Sequence, residues 1–290
     1  MKYLLFSLRP AQWIKNFFIF LPLIFGKKLF VFPDNIKTTA AFFIFCIATS
    51  AAYLANDIID AEEDRAHPTK KLRPIASGRV GIPAAKLAAL ILGIASLCPA
   101  FLLDRNFGLV VAAYLAGNIL YSRLLKTAVI IDVFCLAFFF YLRIEAGSIV
   151  SSVKLSHWIL FMTVLLALFL GLNKRRQELI ILANRPAPHR IVLTQYTPYF
   201  IDQMTSVITS SIVVVYMLYT VDTRTVNEFG TSHLIYSIPF VYYGIFRYLY
   251  LIHKIKKEGD PTRILLSDKM MLLNIALWVG VCISVIYFGL

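Results

Sequence analysis

Nine stretches of the sequence, each about 20 residues long, consist mostly of apolar side chains, and they constrain the fold more than any other feature. Helices of that length cross a bilayer with every backbone polar group hydrogen-bonded internally. The predicted spans are residues 13–32, 36–59, 83–103, 106–121, 128–150, 155–173, 198–221, 232–252 and 270–289. Pro22 predicts a kink in the first span, and the fourth is short. The sequence therefore predicts an all-α, polytopic membrane protein of about nine transmembrane helices, with a single domain over residues 1–290.

The composition agrees with a membrane protein and excludes an ordinary soluble domain. The chain is 59% hydrophobic and only 16% charged, whereas soluble domains are about 45–50% apolar and about 25% charged. Its four cysteines stand singly inside apolar runs, at Cys46, Cys98, Cys135 and Cys282. Because no CxxC pair or cysteine–histidine ligand spacing occurs, neither disulfides nor a structural zinc site are predicted.

The basic residues are distributed unevenly between the two sides of the predicted bundle. Twenty of the 29 Lys and Arg residues fall in the N-terminal segment or in residues 60–82, 122–127, 174–197 and 253–269, which nine spans place on one side. Positive charge marks the cytosolic side, so a cytosolic N-terminus is predicted. Membrane topology thus accounts for the net charge of +13. Because no nucleic-acid-binding motif accompanies this charge, a nucleic-acid partner is not predicted. Anionic lipid headgroups and phosphorylated substrates are the expected counterparts.

An acidic stretch lies at the cytosolic end of the second predicted span, with the sequence NDIIDAEED at residues 56–64. At about 100° per residue, Asn56, Asp60 and Asp64 fall on one stripe of a helix, and Asp57 joins the same face. Unpaired carboxylates this close repel one another. Mg²⁺ relieves such repulsion and keeps positions open for water and substrate phosphates. These four residues are the predicted metal ligands, and a solvated acidic helix end is the alternative reading.

A basic loop follows the acidic stretch, and Pro74 and Gly78 mark it as a loop. Its Lys70 and Arg73 are predicted to bind phosphate oxygens that a metal does not cover, because charge-assisted hydrogen bonds suit such oxygens.

The acidic stretch and this loop together resemble a known family. The pattern Asn-Asp-x-x-Asp-x-x-x-Asp at 56–64, followed by Arg-Pro-x-x-Ser-Gly at 73–78, is similar to the motifs of the UbiA superfamily of intramembrane prenyltransferases. The resemblance covers the whole chain. It implies nine helices around a central cavity open to the cytosolic side, and a Mg²⁺–diphosphate site at the acidic motif. It also implies a position in the bacterial inner (plasma) membrane, with the active site facing the cytosol.

One region departs from many members that prenylate aromatic acceptors. Those members carry a second Asp-x-x-x-Asp motif between helices six and seven, where this chain reads NKRRQEL at residues 173–179. A second metal–carboxylate clamp is thereby replaced by cations that attract anions directly. Lys174, Arg175, Arg176 and Glu178 are therefore predicted to bind a substrate with several phosphates. The positive-inside rule explains at least one of these cations equally well.

Four further stretches are similar to motifs of one branch of that superfamily, the decaprenyl-phosphate phosphoribosyltransferases. They are residues 8–16, 64–70, 121–126 followed by Asp132, and 174–179. The resemblance to this branch implies that 5-phosphoribosyl pyrophosphate donates its phosphoribosyl group to a polyprenyl phosphate and releases pyrophosphate. The bilayer and these two substrates are the implied partners, Mg²⁺ is the implied cofactor, and the oligomeric state, including a homo-oligomer, stays open.

The residues of these stretches also carry expectations of their own. Lys15 and Asn16 lie just inside the first span, where they can face a cavity. Tyr121 and Asp132 meet at one interhelical junction with Lys126. Arg143 lies eleven residues after Asp132 on the same face, and an arginine at that depth marks a protein-lined cavity rather than lipid. The predicted catalytic residues are Asp57, Asp60, Asp64, Lys126 and Asp132. The predicted substrate-binding residues are Lys15, Asn16, Lys70, Arg73, Tyr121, Lys126, Arg143, Lys174, Arg175, Arg176 and Glu178.

Two other functions compete with this reading. In one, a prenyl diphosphate is the donor and an aromatic ring the acceptor. That reaction uses the same first acidic motif, and the basic stretch at 173–179 argues against it. In the other, the chain is a transporter. A transporter predicts polar or interrupted helices at mid-membrane in related halves, whereas the acids here lie at the rim and no repeat is visible.

Overall fold

The structure is a computed structural model that describes residues 2–66, 70–183, 191–253 and 267–289. Every regular element in these ranges is helical. The α-helices, numbered α1 to α12 in chain order, are Lys2–Ser7, Leu21–Phe25, Asp34–Ile59, Ala61–Ala66, Ile82–Leu103, Arg105–Arg123, Ile131–Ser151, His157–Ala183, Pro198–Val221, Thr223–Phe229, Ile238–His253 and Lys269–Phe288. The 3₁₀-helices, numbered η1 to η5, are Pro10–Phe20, Lys70–Leu72, Leu125–Thr127, Ile191–Gln195 and His233–Ser237.

Seven helical segments of the described chain are long and apolar enough to cross a membrane. They are Asp34–Ile59, Ile82–Leu103, Ile131–Ser151, His157–Ile180, Pro198–Val221, His233–His253 and Lys269–Phe288. Large side chains such as Leu102 (88% exposed) and Phe30 (76% exposed) lie on the outside, where lipid rather than water is the favourable neighbour. The prediction of an all-helical, multi-pass membrane protein is confirmed. The count of nine spans and the central cavity open to the cytosol stay predictions.

The first predicted span, residues 13–32, is not one helix. Its first eight residues, 13–20, belong to η1, the next five form α2, and the last seven, 26–32, lie outside both helices. Pro22 lies in the first turn of α2, where its missing N–H and fixed φ are tolerated. The kink predicted at Pro22 is therefore a full change from 3₁₀ to α geometry.

The sixth predicted span, residues 155–173, ends ten residues before the helix that contains it. Helix α8 continues to Ala183, because the lysine, arginine, glutamine and glutamate that follow residue 173 are good helix formers. Lys174, Arg175, Arg176 and Glu178 therefore lie on the last turns of a helix. Their predicted placement in a loop between helices six and seven is wrong.

The chain divides into two compact units. The first contains α1 to α7 with their 3₁₀-helices and also η4, and its core gathers buried side chains such as Ile19, Phe45 and Phe107. The second contains α8 to α12 with η5, and its core gathers Phe169, Ile212 and their neighbours. The assignment of residues 1–290 to a single domain stays a prediction.

The first unit depends on one close approach between η1 and α7. A Cβ added at Gly147 of α7 would lie 2.0 Å from the carbonyl oxygen of Ile19. The backbone of η1 cannot yield there as a flexible side chain would, because Ile19 is itself fully buried. Gly147 thus allows the irregular first helix to pack directly on α7.

We expect Gly147→Ala to destabilise the protein by about 2–3 kcal/mol, the usual scale for an overpacked core. The measurement is the thermal midpoint of the purified protein in detergent. Gly93→Ala on α5 is the matched control, since no atom lies within 4 Å of its added Cβ and alanine is the better helix former. Equal midpoints for the two variants would contradict the close approach.

Candidate active site

The acidic stretch spans the junction between α3 and α4. Helix α3 ends at Ile59, so the continuous helical stripe predicted through Asp64 is interrupted at Asp60. The four-residue spacing nevertheless survives, because the amide of Asp60 donates to the carbonyl of Asn56 (2.9 Å) and the amide of Asp64 donates to that of Asp60 (2.8 Å). Asp57, Asp60 and Asp64 are buried, with at most 6% of each residue exposed. Three carboxylates therefore gather at one helix end, where the helix dipole adds further negative potential.

Two arginines neutralise the first and last of these carboxylates. Nη1 of Arg73 lies 3.2 Å from Oδ1 of Asp57 and 2.6 Å from Oδ2 of Asp64, so both acids share one guanidinium nitrogen. Nη2 of Arg9 donates to the same Oδ1 of Asp57, and the Arg9 guanidinium lies over the ring of Tyr53. Arg73 was predicted at the site and Arg9 was not, although it stands in the residue 8–16 stretch that the sequence singles out.

The loop that carries Arg73 is fixed by apolar anchors. Ile75 and Val80 are buried against side chains of α3 and α5, and the amide of Ser77 donates to the carbonyl of Arg73 (2.8 Å). Gly78 takes a positive φ of 75°, which glycine adopts without strain. Lys70 lies nearby in η2, and its charge acts on Asp64.

The middle carboxylate is held from the opposite side of the junction. Nζ of Lys126, on η3, donates to Oδ1 of Asp60 (2.7 Å) and to Oε2 of Glu63 (3.1 Å). Only 9% of the Lys126 side chain is exposed, against 60% of that of Glu63. The hydroxyl of Ser122 donates to Oδ1 of Asn56. Lys126 was predicted as a phosphate contact, and in this structure its ammonium binds the acidic stretch.

Burial and charge act in opposite directions on these groups. Burial raises the pKa of Asp64, and the neighbouring Arg73 guanidinium offsets only part of that effect. Burial alone would lower the pKa of Lys126, but its hydrogen bonds to Asp60 and Glu63 and their charges outweigh burial and raise it. The ammonium is therefore firmly charged, while the Asp64 carboxylate would gain from a further cation.

The oxygen ligands of the acidic stretch fit Mg²⁺ by their chemistry. Carboxylate and amide oxygens are the ligands that Mg²⁺ takes from proteins, and Asn56, Asp57, Asp60 and Asp64 supply both kinds. Within the described ranges, however, no three His, Cys, Asp or Glu side chains are grouped closely enough to hold a metal ion. Arginine and lysine groups instead occupy positions around the carboxylates. The predicted metal site stays a prediction, and loading it requires some of these ion pairs to rearrange.

The turn between η3 and α7 is strained. Ile130 has φ 70° and ψ −48°, and the amide of Ile131 donates to the carbonyl of Val129 (2.8 Å). This is the rare γ-turn with positive φ, and a β-branched residue at positive φ is an outlier. The turn places Asp132, fully buried, in the first turn of α7. Tyr121 is also buried and packs edge-on against an aromatic ring of α7. Strain of this kind concentrates at functional sites.

A second polar network lies deeper in the first unit. The guanidinium of Arg143, 3% exposed, donates through Nε to Oδ1 of Asn16 (2.9 Å) and through Nη2 to the hydroxyl of Tyr114 (3.0 Å). Thr49 donates to the same oxygen of Asn16 (3.3 Å). Lys15, the neighbour of Asn16 on η1, is half-buried. These hydrogen-bond partners of Arg143 are neutral, and the network joins four helices, η1, α3, α6 and α7, through one buried cation.

The predicted basic residues of the second unit are partly neutralised within that unit. Nη1 of Arg175, 1% exposed, donates to Oε2 of Glu178 (2.7 Å) one turn later on α8. Nε of Arg176 donates to Oδ1 of Asp202 on α9 (2.7 Å). Lys174 is half-buried beside them. The structure thus brings Asp57, Asp60, Asp64, Arg73 and Lys126 into one cluster of the first unit, while the α8 cations belong to the other unit.

Comparison with known proteins gives a match over most of the chain. Residues 19–275 match the UbiA prenyltransferase family. A decaprenyl-phosphate phosphoribosyltransferase of Mycolicibacterium smegmatis is 32% identical, over 98% of this chain and 92% of the relative. The Mycobacterium tuberculosis protein of the same name is 30% identical, over 98% and 94%. A UbiA homologue from Archaeoglobus fulgidus, solved with DMAPP and Mg²⁺, superposes with a TM-score of 0.71 at 17% identity, over 99% of both chains.

Proposed function

Because the chain belongs to the UbiA prenyltransferase family and is therefore a membrane-embedded transferase, we propose that it transfers a 5-phosphoribosyl group from phosphoribosyl pyrophosphate to a polyprenyl phosphate, with Mg²⁺ as cofactor. The observation that carries the proposal is the acidic cluster of Asp57, Asp60 and Asp64, ringed by cations. Relatives of about 30% identity bear the name of this activity.

The acidic cluster fits the diphosphate end of the donor. Asn56, Asp57, Asp60 and Asp64 would hold Mg²⁺, which would neutralise the charge that builds on the leaving diphosphate. Arg9 and Arg73 stand against Asp57, so they can exchange a carboxylate partner for phosphate oxygens. Arginine is suited to that exchange because its planar guanidinium binds carboxylate and phosphate alike.

Lys126 and Asp132 would position the donor rather than neutralise its charge. The raised pKa of Lys126 keeps its ammonium charged, and its anchor on Asp60 fixes its direction. Asp132, buried at the start of α7, is held by the strained turn that separates it from Lys126. We assign both to orientation of the phosphoribosyl group.

Bond making and breaking need little from a general base. The bond between ribose C1 and the diphosphate oxygen breaks, and C1 gains oxocarbenium character as pyrophosphate leaves. An oxygen of the polyprenyl phosphate forms the new bond to C1 from the opposite face. A phosphate monoester is already anionic at neutral pH, so no strong base has to remove a proton. The role of the protein is then positioning and charge stabilisation.

The remaining predicted residues fit the outlying phosphates. Lys70 would add a phosphate contact in the first unit. In the second unit, Lys174, Arg175 and Arg176 would bind a phosphate of one of the substrates, either the donor's 5-phosphate or the lipid phosphate, with Glu178 orienting Arg175 through their 2.7 Å contact. We further propose that the N-terminus and the acidic cluster are cytosolic in the bacterial inner membrane, because 20 of the 29 Lys and Arg residues fall in segments that the nine predicted spans would place on that side.

One observation favours the alternative of prenyl transfer to an aromatic acceptor. The archaeal homologue of the same fold was solved with DMAPP and Mg²⁺, and another structure with GPP, so the fold accommodates prenyl diphosphates. The cations at 174–176 weigh against it, since an aromatic acceptor offers them no phosphate.

The test is a donor assay on the purified full chain in detergent with Mg²⁺. Polyprenyl phosphate is offered with labelled phosphoribosyl pyrophosphate, and the label in the organic phase is counted. We expect label in the lipid for the wild type and its loss in Asp60→Asn. If no label appears there, while a prenyl group passes from prenyl diphosphate to an aromatic acid, the proposal is wrong and the alternative stands.

A further inference from the structure

Helix η1 presents two distinct faces because it is a 3₁₀-helix. In this geometry residues three apart eclipse one another, and η1 keeps it for eleven residues, far beyond the usual three or four. Trp13, Asn16 and Ile19 form one face, which packs inside the unit. Nε1 of Trp13 donates to Oγ of Ser50 (3.0 Å), Nδ2 of Asn16 to Sγ of Cys46 (3.2 Å), and Ile19 is fully buried.

The neighbouring face changes from polar to aromatic along its length. It runs through Gln12, Lys15 and Phe18. Gln12 follows Arg9 by three residues, and Arg9 binds Asp57 of the acidic cluster. At its other end, the ring of Phe18 packs edge-on against Phe140 of α7, with 5.0 Å between centroids. At about 2.0 Å per residue, Gln12 and Lys15 differ in height by about 6 Å, and Phe18 lies about 6 Å further from the cluster.

Gln12 has a buried side-chain oxygen that no group of the described residues uses. Its Oε1 is covered and has no hydrogen-bond partner among the described residues. An unmade hydrogen bond at a buried amide destabilises the fold, whereas an apolar side chain of similar size would not. Positions that are unfavourable for stability in this way are expected at binding sites.

We propose that the face formed by Gln12, Lys15 and Phe18 binds the polyprenyl phosphate acceptor, with Gln12 as an unassigned specificity-determining residue. The amide of Gln12, rotated by half a turn so that its NH₂ takes the position of the covered Oε1, donates to the phosphate, and the ammonium of Lys15 pairs with the same phosphate. Phe18 and Phe140 hold the first part of the hydrocarbon chain. This inference rests on the proposed function, whose acceptor it places.

The order of side chains favours an amphiphilic lipid over the sugar donor. The donor is anionic at both ends, and aromatic rings at one end of a site offer its phosphates nothing. A lipid phosphate has one anionic end and a hydrocarbon tail, which matches an amide and a cation followed by two rings. The acidic cluster next to Arg9 is already suited to the metal-bound diphosphate, so the two anions occupy neighbouring places without sharing ligands.

The test measures binding of polyprenyl phosphate to the full chain in detergent without donor, alongside binding of phosphoribosyl pyrophosphate with Mg²⁺. We expect Gln12→Leu to weaken lipid binding by about tenfold or more, the scale of one hydrogen bond to a charged group, and to leave donor binding unchanged. Gln12→Glu should weaken it further through like-charge repulsion. Phe18→Leu should also weaken lipid binding. Phe17→Leu is the matched control, because Phe17 is 57% exposed on another face.

The outcomes separate this inference from the proposed function. If the wild type binds no polyprenyl phosphate, the proposed acceptor itself fails. If both Gln12 variants bind polyprenyl phosphate as tightly as the wild type does, only the placement along η1 is overturned. The same conclusion follows if the variants weaken binding of the donor and not of the lipid. The thermal midpoint without lipid is recorded for each variant. If Gln12→Leu lowers that midpoint, the lipid binding of Gln12→Glu is used to judge the placement instead.

Discussion

Replacing Asp57 by asparagine is expected to lower the turnover of phosphoribosyl transfer by about 10³-fold, equivalent to ~4 kcal/mol of transition-state stabilisation. Asp57 meets two guanidinium groups, those of Arg9 and Arg73, and it is a predicted metal ligand. The amide keeps the shape of the side chain but removes its charge. Both the metal and the two arginines then lose the anion that orders them.

The measurement is the initial rate as a function of Mg²⁺ concentration. Glu62→Gln is the matched control, because it removes the same charge five residues away from an exposed side chain and should leave the rate within about twofold, as for a solvated surface group. If Asp57→Asn reaches the wild-type rate at saturating Mg²⁺, Asp57 contributes only to metal affinity. A wild-type rate at every Mg²⁺ concentration would exclude it from the site.

The spans were predictable because the bilayer imposes a local rule on the sequence. The predicted span 198–221 coincides with Pro198–Val221, and the predicted span 83–103 begins one residue after the start of Ile82–Leu103. Hydropathy does not register backbone geometry, which is why it did not predict the 3₁₀-helix in the first span. The 3₁₀ form of η1 depends on contacts with distant residues, such as Ser50 and the Gly147 backbone. The end of α8 was predicted too early for a different reason. Charged residues end an apolar stretch in a hydropathy profile, but lysine, arginine and glutamate can continue a helix.

The site was predictable where its members are close in sequence. The spacing of Asn56, Asp57 and Asp60 defines one helix face whatever the rest of the chain does. Arg9, one of the two arginines that pair with Asp57, lies 48 residues from it, and Lys126, which binds Asp60, lies 66 residues from that carboxylate. Lys126 was singled out for its motif, but no sequence spacing shows that its ammonium turns to a carboxylate. Such pairings come from tertiary packing alone.

The ion pair between Lys126 and Asp60 makes a second large effect, this time on stability. We expect Lys126→Met to destabilise the protein by about 3 kcal/mol, because it removes a hydrogen-bonded cation from beside the buried carboxylate of Asp60. That carboxylate is 6% exposed as a residue and lies 2.7 Å from Nζ of Lys126. Glu63, with 60% of its side chain exposed, simply returns to solvent. The thermal midpoint in detergent should fall by about 6–12 °C.

Adding Asp60→Asn to Lys126→Met should return most of that stability, since the amide has no charge to bury. Lys71→Met is the control for the single change, because Lys71 is exposed and its removal should leave the midpoint unaltered. The double variant separates the two roles of the pair. It should melt close to the wild type and still lack transferase activity, because the site has lost both a proposed metal ligand and a positioned cation. A double variant that melts as low as Lys126→Met would show that the lysine stem, and not the charge pair, holds the junction together.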